Sequence, residues 1–218
     1  MRSLVVSLLL AGCWAIPVLA EGDTHQHHQH HNAIPLTPAA GQGRDRQGGH
    51  DSHSHALGPA GATYDLRWLD AMVQHHTGAL RMTEFVFDIG VPGVGSLGKD
   101  IWRDQAQEIK AMGQWRKAWY PEAPVYPVAL KAGEDPNSMG SLERMGAAQI
   151  QAMQMTGSTP TKDNRVTWFL EGMIAHHGGA LVMAHDALNK SSNPTIQRLA
   201  RQIIVAQRRE ILQLRRML

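Results

Sequence analysis

The sequence of 218 residues holds a single cysteine, Cys13, inside its N-terminal apolar stretch. If that stretch is removed, disulfides, thiolate metal sites and cysteine nucleophiles are excluded together. Aromatic residues are only 6% of the chain, and valine is sparse while alanine, leucine, glutamine and methionine abound, a mixture that leans to helix. Charge of one sign is also lacking. Lys and Arg number 21 against 19 Asp and Glu, which predicts no polyanionic partner. Arg198, Arg201, Arg208, Arg209, Arg215 and Arg216 read as the wet face of a helix rather than a nucleic-acid contact. No Glu is followed by His three residues later, so the Glu-x-x-His pairs of a di-iron carboxylate bundle are missing. A zinc-protease helix, a phosphate loop, a nucleotide-binding glycine pattern and a serine-nucleophile context are missing too. The expectation is a protein that is not an enzyme.

What is present begins with an export signal over residues 1–20. Arg2 supplies the positive start, Leu4 to Ile16 the apolar region, and Val18-Leu19-Ala20 a small-residue cleavage site before Glu21. Gly12 and Pro17 interrupt the stretch, which is too short for a transmembrane helix. Leu10-Ala11-Gly12-Cys13 also has the form of a bacterial lipobox. Soluble export to the periplasm and lipid anchoring at Cys13 therefore both stand, the first favoured because the apolar run continues past Cys13 to Ala20.

Residues 21–62 are rich in Gly, Pro, Gln and His and carry no periodic apolar pattern, which reads as disorder. They hold His25, His27, His28, His30, His31, His50, His53 and His55, eight of the thirteen histidines. Clustered imidazoles can chelate Cu(II), nickel or zinc weakly; the other reading is a solubilising or pH-titrating tail.

Residues 63–218 form the folded domain. Helical periodicity predicts helices over 64–88, 97–119, 163–189 and 195–217. Thr63 or Asp65 is placed to cap the first and Asp163 the third. The connector 120–137 reads as irregular and 138–156 as a shorter helix bridging two halves.

Those halves repeat. Trp68-Leu69-Asp70-Ala71-Met72-Val73-Gln74-His75-His76-Thr77-Gly78-Ala79-Leu80-Arg81-Met82 registers on Phe169 to Met183 with a constant offset of 101 residues. Met72 falls on Met173, His75-His76 on His176-His177, Gly78 on Gly179 and Met82 on Met183. The second helices repeat as well, Gln105-Ala106-Gln107-Glu108-Ile109 against Gln207-Arg208-Arg209-Glu210-Ile211. Two helix hairpins that cannot bury their stripes alone should pack as an all-α four-helix bundle, with the short extra helix connecting them.

On a helical wheel of about 100° per residue, Met72, His75, His76 and Met82 lie within about 120°, on the core side with Trp68 and Ala79. Met72 can meet His75 or His76 at the i,i+3 and i,i+4 spacings. The adjacent histidines diverge by about 100° and do not readily share one ion. Asp70 and Glu171 fall on the far side and read as solvated. Neutral thioether and imidazole suit Cu(I) or silver, and methionine escapes the disulfide chemistry of exported proteins. Each residue also has a plainer reading as core packing. His185 lies off the stripe as an accessory ligand, and in the bridge Met139, Met145, Met153 and Met155, the outliers Met139 and Met153 are the better candidates for a transient copper contact.

The Met-x-x-His-His-x-x-Ala-x-x-Met phrase, the paired Gln-x-x-Glu-Ile helices and their doubling resemble the domain-of-unknown-function family 305, whose characterised relatives include CopM-type copper-binding proteins of the bacterial periplasm. The resemblance spans about residues 64–218. It implies a ferritin-like bundle, export, and copper binding in resistance or trafficking. Carried over by match, the metal candidates are Met72, His75, His76 and Met82, then Met173, His176, His177 and Met183. An aspartate is expected three residues before the aromatic; Asp65 fits before Trp68, but Val166 stands before Phe169. The partners implied are metal ions and other envelope copper-handling proteins, with a membrane only if Cys13 is lipidated. The alternative is a structural or interaction bundle of the envelope whose His-Met stripe is core.

Overall fold

A computed structural model of the chain describes residues 55–123 and 125–218. The expected signal segment, the Cys13 lipobox and the histidines from His25 to His53 lie outside the described residues.

Four long helices and one short one carry the described part. They are α1 (Tyr64–Glu84), α2 (Val94–Trp119), α3 (Ala147–Gln154), α4 (Arg165–Lys190) and α5 (Pro194–Met217). α1 pairs with α2, α4 pairs with α5, and α1 and α4 pack on one another. The two hairpins of the repeat are thus the two paired units. Among the described residues no helix is long and apolar enough to cross a membrane.

α1 stops four residues short of expectation. Beyond Glu84 the backbone switches to i→i+3 bonds, Val86 N to Thr83 O at 3.0 Å and Ile89 N to Val86 O at 3.2 Å, the tightening that closes helix ends. Asn164 rather than Asp163 is the N-cap residue of α4, with no side-chain cap bond; its carboxamide oxygen instead accepts from Thr161 N at 2.8 Å. Thr63 is the N-cap of α1, but its hydroxyl donates to Pro136 O at 2.7 Å instead of capping.

The connectors depart more. The supposedly irregular stretch and the supposed bridging helix together form an antiparallel hairpin, β1 (Val128–Leu130) and β2 (Leu142–Arg144), in register Val128↔Arg144 and Leu130↔Leu142. A 3₁₀ turn, Met139–Ser141, precedes β2, and only 147–154 of the bridge is α-helical.

The hairpin changes the fate of Asp70. Read as solvated, it is instead fully buried. Its Oδ1 accepts from Arg116 Nε at 2.6 Å and its Oδ2 from Val128 N at 2.9 Å. The wheel placed it away from the helical core, but β1 and the end of α2 cover that side of α1. Glu171, on the equivalent face of α4, is exposed, as are all six C-terminal arginines.

Two apolar clusters line the α1–α4 contact. One contains Trp68, Met72, Met112, Met183 and Ile203, the other Met82, Ile101, Phe169, Met173 and Leu214. Trp68 Nε1 donates to Met183 O at 2.9 Å, and a Cβ on Gly172 would meet Met82 Cε at 2.9 Å. α1 and α4 therefore run antiparallel, and each cluster joins the first methionine of one copy to the last of the other.

The segment before α1 is also packed. His55 and Leu57, inside the stretch read as disordered, are both 7% exposed. Leu57 joins the first cluster, and the Arg67 guanidinium, itself buried, donates to the Leu57 and Pro59 carbonyls.

Candidate metal centre

The inner histidines of the two copies meet between the apolar clusters. His75 and His176 are 0% exposed, with ring centroids 3.9 Å apart. His176 Nε2 lies 3.0 Å from His75 O; since a carbonyl only accepts, that nitrogen carries the proton and Nδ1 keeps the lone pair. His75 makes no reciprocal bond. Its Nδ1 and Nε2 are both buried without a hydrogen-bond partner. Burial pushes the pKa of both rings well below the ordinary histidine value, and neighbouring imidazoles add to the shift. Both are held neutral, the form in which imidazole binds a metal.

The outer histidines point elsewhere, as their divergence on the wheel requires. His76 Nε2 lies 2.6 Å from Glu108 Oε2, and His177 Nε2 lies 2.7 Å from Glu210 Oε2. Glu108 and Glu210 are the glutamates of the repeated second helices, so each hairpin is pinned by its own His–Glu contact. In both rings Nδ1 is buried and has no hydrogen-bond partner, and the His177–Glu210 contact, unlike that of His76 with Glu108, is close without hydrogen-bond alignment. His76, held through one nitrogen by a carboxylate with the other left bare, has the arrangement found behind metal ligands. The role of the glutamates was missed at the sequence level, although their repetition was visible.

Met72 and Met173 are 0% exposed, Met183 is 0% and Met82 1%. The stripe is therefore on the core side, as the wheel predicts, and its thioethers sit among apolar groups.

The repeated glycines explain how the centre is approached. A Cβ at Gly78 would fall on the main chain of Gln154, with Gln154 Cα 2.9 Å away. The C-terminus of α3 thus rests directly on α1. Gln154 also donates from its carboxamide to Gln74 at 3.1 Å, and accepts from Arg81 at 2.6 Å. The next residue, Met155, ends α3 with φ +48°, a left-handed conformation uncommon outside glycine and asparagine.

At Gly179 the neighbours are different in kind. A Cβ there would lie 2.7 Å from His55 Nε2, 2.9 Å from His75 Nε2 and 2.9 Å from Met155 Sδ. Two imidazole nitrogens and one thioether converge on one point of the α4 surface. The His55 and His75 ring centroids are 5.4 Å apart. Among the described residues no three His, Cys, Asp or Glu side chains gather as a cation site, and this mixed cluster owes its third donor to sulfur. Neither His55 nor Met155 was singled out as a bundle ligand by the sequence, because both lie outside the repeated phrase. Met153, preferred there, is buried in the first cluster, and Met139 is 36% exposed in the 3₁₀ turn. His185 is exposed, its Nε2 3.4 Å from Arg208 Nη2.

Structures of CopM in its Cu(I)-bound form are similar at 25% identity and a TM-score of 0.51, covering 70% of this chain and 93% of that one. CopM in an Ag-bound form obtained by co-crystallization is similar at 25% identity and a TM-score of 0.50 over the same shares. A DUF305 fragment from Deinococcus radiodurans is 26% identical with a TM-score of 0.50, covering 72% of this chain and 96% of that fragment. No curated protein sequence matches. The family described as Domain of unknown function (DUF305) matches residues 65–218, and the chain belongs to that family.

Proposed function

We propose that this chain is an exported, non-catalytic copper-binding protein that sequesters or relays Cu(I) through histidine and methionine, in copper resistance or homeostasis. The observation that carries the reading is His75, a fully buried imidazole with both nitrogens unpartnered, beside a second imidazole and a thioether. An unsatisfied buried polar group costs about 1–3 kcal/mol, a cost that a bound cation removes. The solved forms of CopM with Cu(I), Cu(II) and silver support the choice of metal. Neutral donors favour the monovalent ion.

In this reading the four long helices make a ferritin-like four-helix bundle with the metal-handling face at its centre. His75 and His176 are the inner donors. His76 and His177, held by Glu108 and Glu210, present bare Nδ1 atoms with Met72 and Met173 one turn earlier. Met82 and Met183 complete the repeated set at the far ends. The histidines upstream of His55 capture Cu(II), and export delivers the protein to the periplasm or, through Cys13, to a lipid anchor.

Complete burial of the four stripe methionines favours a second reading, a structural bundle of the envelope. Competition between the full chain and a Cu(I) chelator under reducing conditions separates the two. The copper reading expects withdrawal of Cu(I) from the chelator, reduced at least tenfold in affinity when His75 and His176 are both replaced by Gln with helix content retained. Affinity unchanged in that variant would leave only the structural reading.

A further inference from the structure

We infer that His55, His75 and Met155 form a three-donor site for a monovalent soft cation, Cu(I) or Ag(I), seated over Gly179, and that the repeat supplies it on one side of the molecule only. This rests on the copper reading and goes further, because two of the three ligands lie outside the repeated phrase. One of them, His55, lies ten residues before the start of the family match at residue 65.

Three observations on different elements converge. Position 179 is glycine, and the volume a side chain would fill is bounded by two nitrogens and a sulfur at 2.7–2.9 Å. That point marks where the donors aim. An ion would sit further from the α4 backbone and closer to them, since nitrogen and sulfur bind a small cation of about the size of Zn²⁺, as Cu(I) is, at about 2.0–2.3 Å. Met155 holds the left-handed conformation at the end of α3, where glycine is the favoured residue. Its thioether is thereby turned toward Gly179 rather than into the apolar cluster that takes Met153. Finally, His55 also lines a surface cavity with Leu181, His185, Asp186 and Arg208. The imidazole thus borders both that cavity and the cradle.

The equivalent position in the other copy cannot do this. Gly78 faces the main chain of Gln154, which occupies the space that the donors frame at Gly179. The two copies of the phrase thus have different uses: one glycine receives α3, the other receives the ion. The set is neutral and lacks a carboxylate, which selects against calcium, magnesium and other hard ions. Binding exchanges a bound donor of the delivering species for these three; no electron or proton transfer is required, since the imidazoles are already neutral.

The test uses the full chain with methionine methyls labelled with ¹³C, titrated with Ag(I) and separately with Cu(I) under reductant. The Met155 methyl, assigned through M155L, should shift in the first equivalent. H55Q and M155L should each weaken affinity at least tenfold. M155G serves as a second variant: glycine suits the backbone at that position, so folding is kept while the thioether is lost, and the same weakening is expected. If other methionine methyls shift while Met155 does not, or if H55Q and M155G bind as the wild type does, the site is overturned and the copper reading stands. If no methionine methyl responds to either ion, both fall.

Discussion

His75 and His176 are each other's equivalents across the 101-residue offset, and their rings lie 3.9 Å apart. A residue that meets its own repeat copy sits on the local two-fold relation between the copies, as in a self-complementary dimer interface. Here the symmetry fails at the hydrogen bond. His176 donates to the main chain of His75 while both His75 ring nitrogens lack a partner. The duplicated element has one histidine bonded through a single nitrogen and one bonded through neither.

Acid should loosen the fold through these two rings. Their pKa values are lowered in the folded state by burial, so below the ordinary histidine value of about 6.5 the unfolded chain binds protons that the folded chain refuses. Stability is then full above that value and falls as pH drops through it. Each histidine contributes up to about tenfold in the folding equilibrium per pH unit. Thermal melting of the full chain between pH 7.5 and about 5 should show a falling midpoint, with the slope reduced in H75Q/H176Q. Bound Cu(I) should oppose the fall.

Gly78 and Gly179 should answer differently to the same substitution. Gly78→Ala drives a methyl into the Gln154 backbone and should cost about 1–3 kcal/mol, the usual range for overpacking, through displacement of α3. Gly179→Ala meets only the ends of three side chains, which can rotate away. Denaturant unfolding should show the first variant clearly destabilised and the second much less so.

The His–Glu contacts should be structural as well as supporting. Glu108→Ala or Glu210→Ala leaves a buried imidazole nitrogen without its carboxylate, at a cost of about 1–3 kcal/mol. Glu→Gln should recover part of the loss. Chemical denaturation of the four single variants measures this, and the larger loss is expected at Glu108, whose 2.6 Å contact is an aligned hydrogen bond while the 2.7 Å contact of Glu210 is not.

Asp70→Ala should be among the most damaging single changes. It removes the acceptor for both Arg116 and the Val128 amide, leaving a guanidinium partly buried without its counter-charge, a loss of roughly 3 kcal/mol or more. Its exposed counterpart Glu171 should tolerate alanine. Thermal denaturation of both variants makes the comparison.

The Asp70 contrast shows where the sequence is legible. Periodic features survive translation into three dimensions: the doubled phrase, the helix hairpins and the core side of the His-Met stripe. The family resemblance was legible for the same reason, because it rests on that phrase. Features decided by aperiodic connectors were not. A wheel cannot know that β1 will cover Asp70, that α3 will end in a left-handed methionine, or that a Gly- and His-rich leader will bring His55 against His75. Glu108 and Glu210 fall between these cases. Their repetition was visible, but their pairing with the outer histidines depends on how each hairpin rotates about its own axis.

X-ray absorption at the copper edge of the Cu(I)-loaded full chain tests the central claim most directly. Methionine supplies all the sulfur except that of Cys13, so the C13S chain is the sample to use. The account predicts a first shell of nitrogen together with at least one sulfur, the sulfur diminished in M155L. A first shell of nitrogen or oxygen alone in the otherwise native chain would place the copper on the histidine-rich leader and contradict the claim.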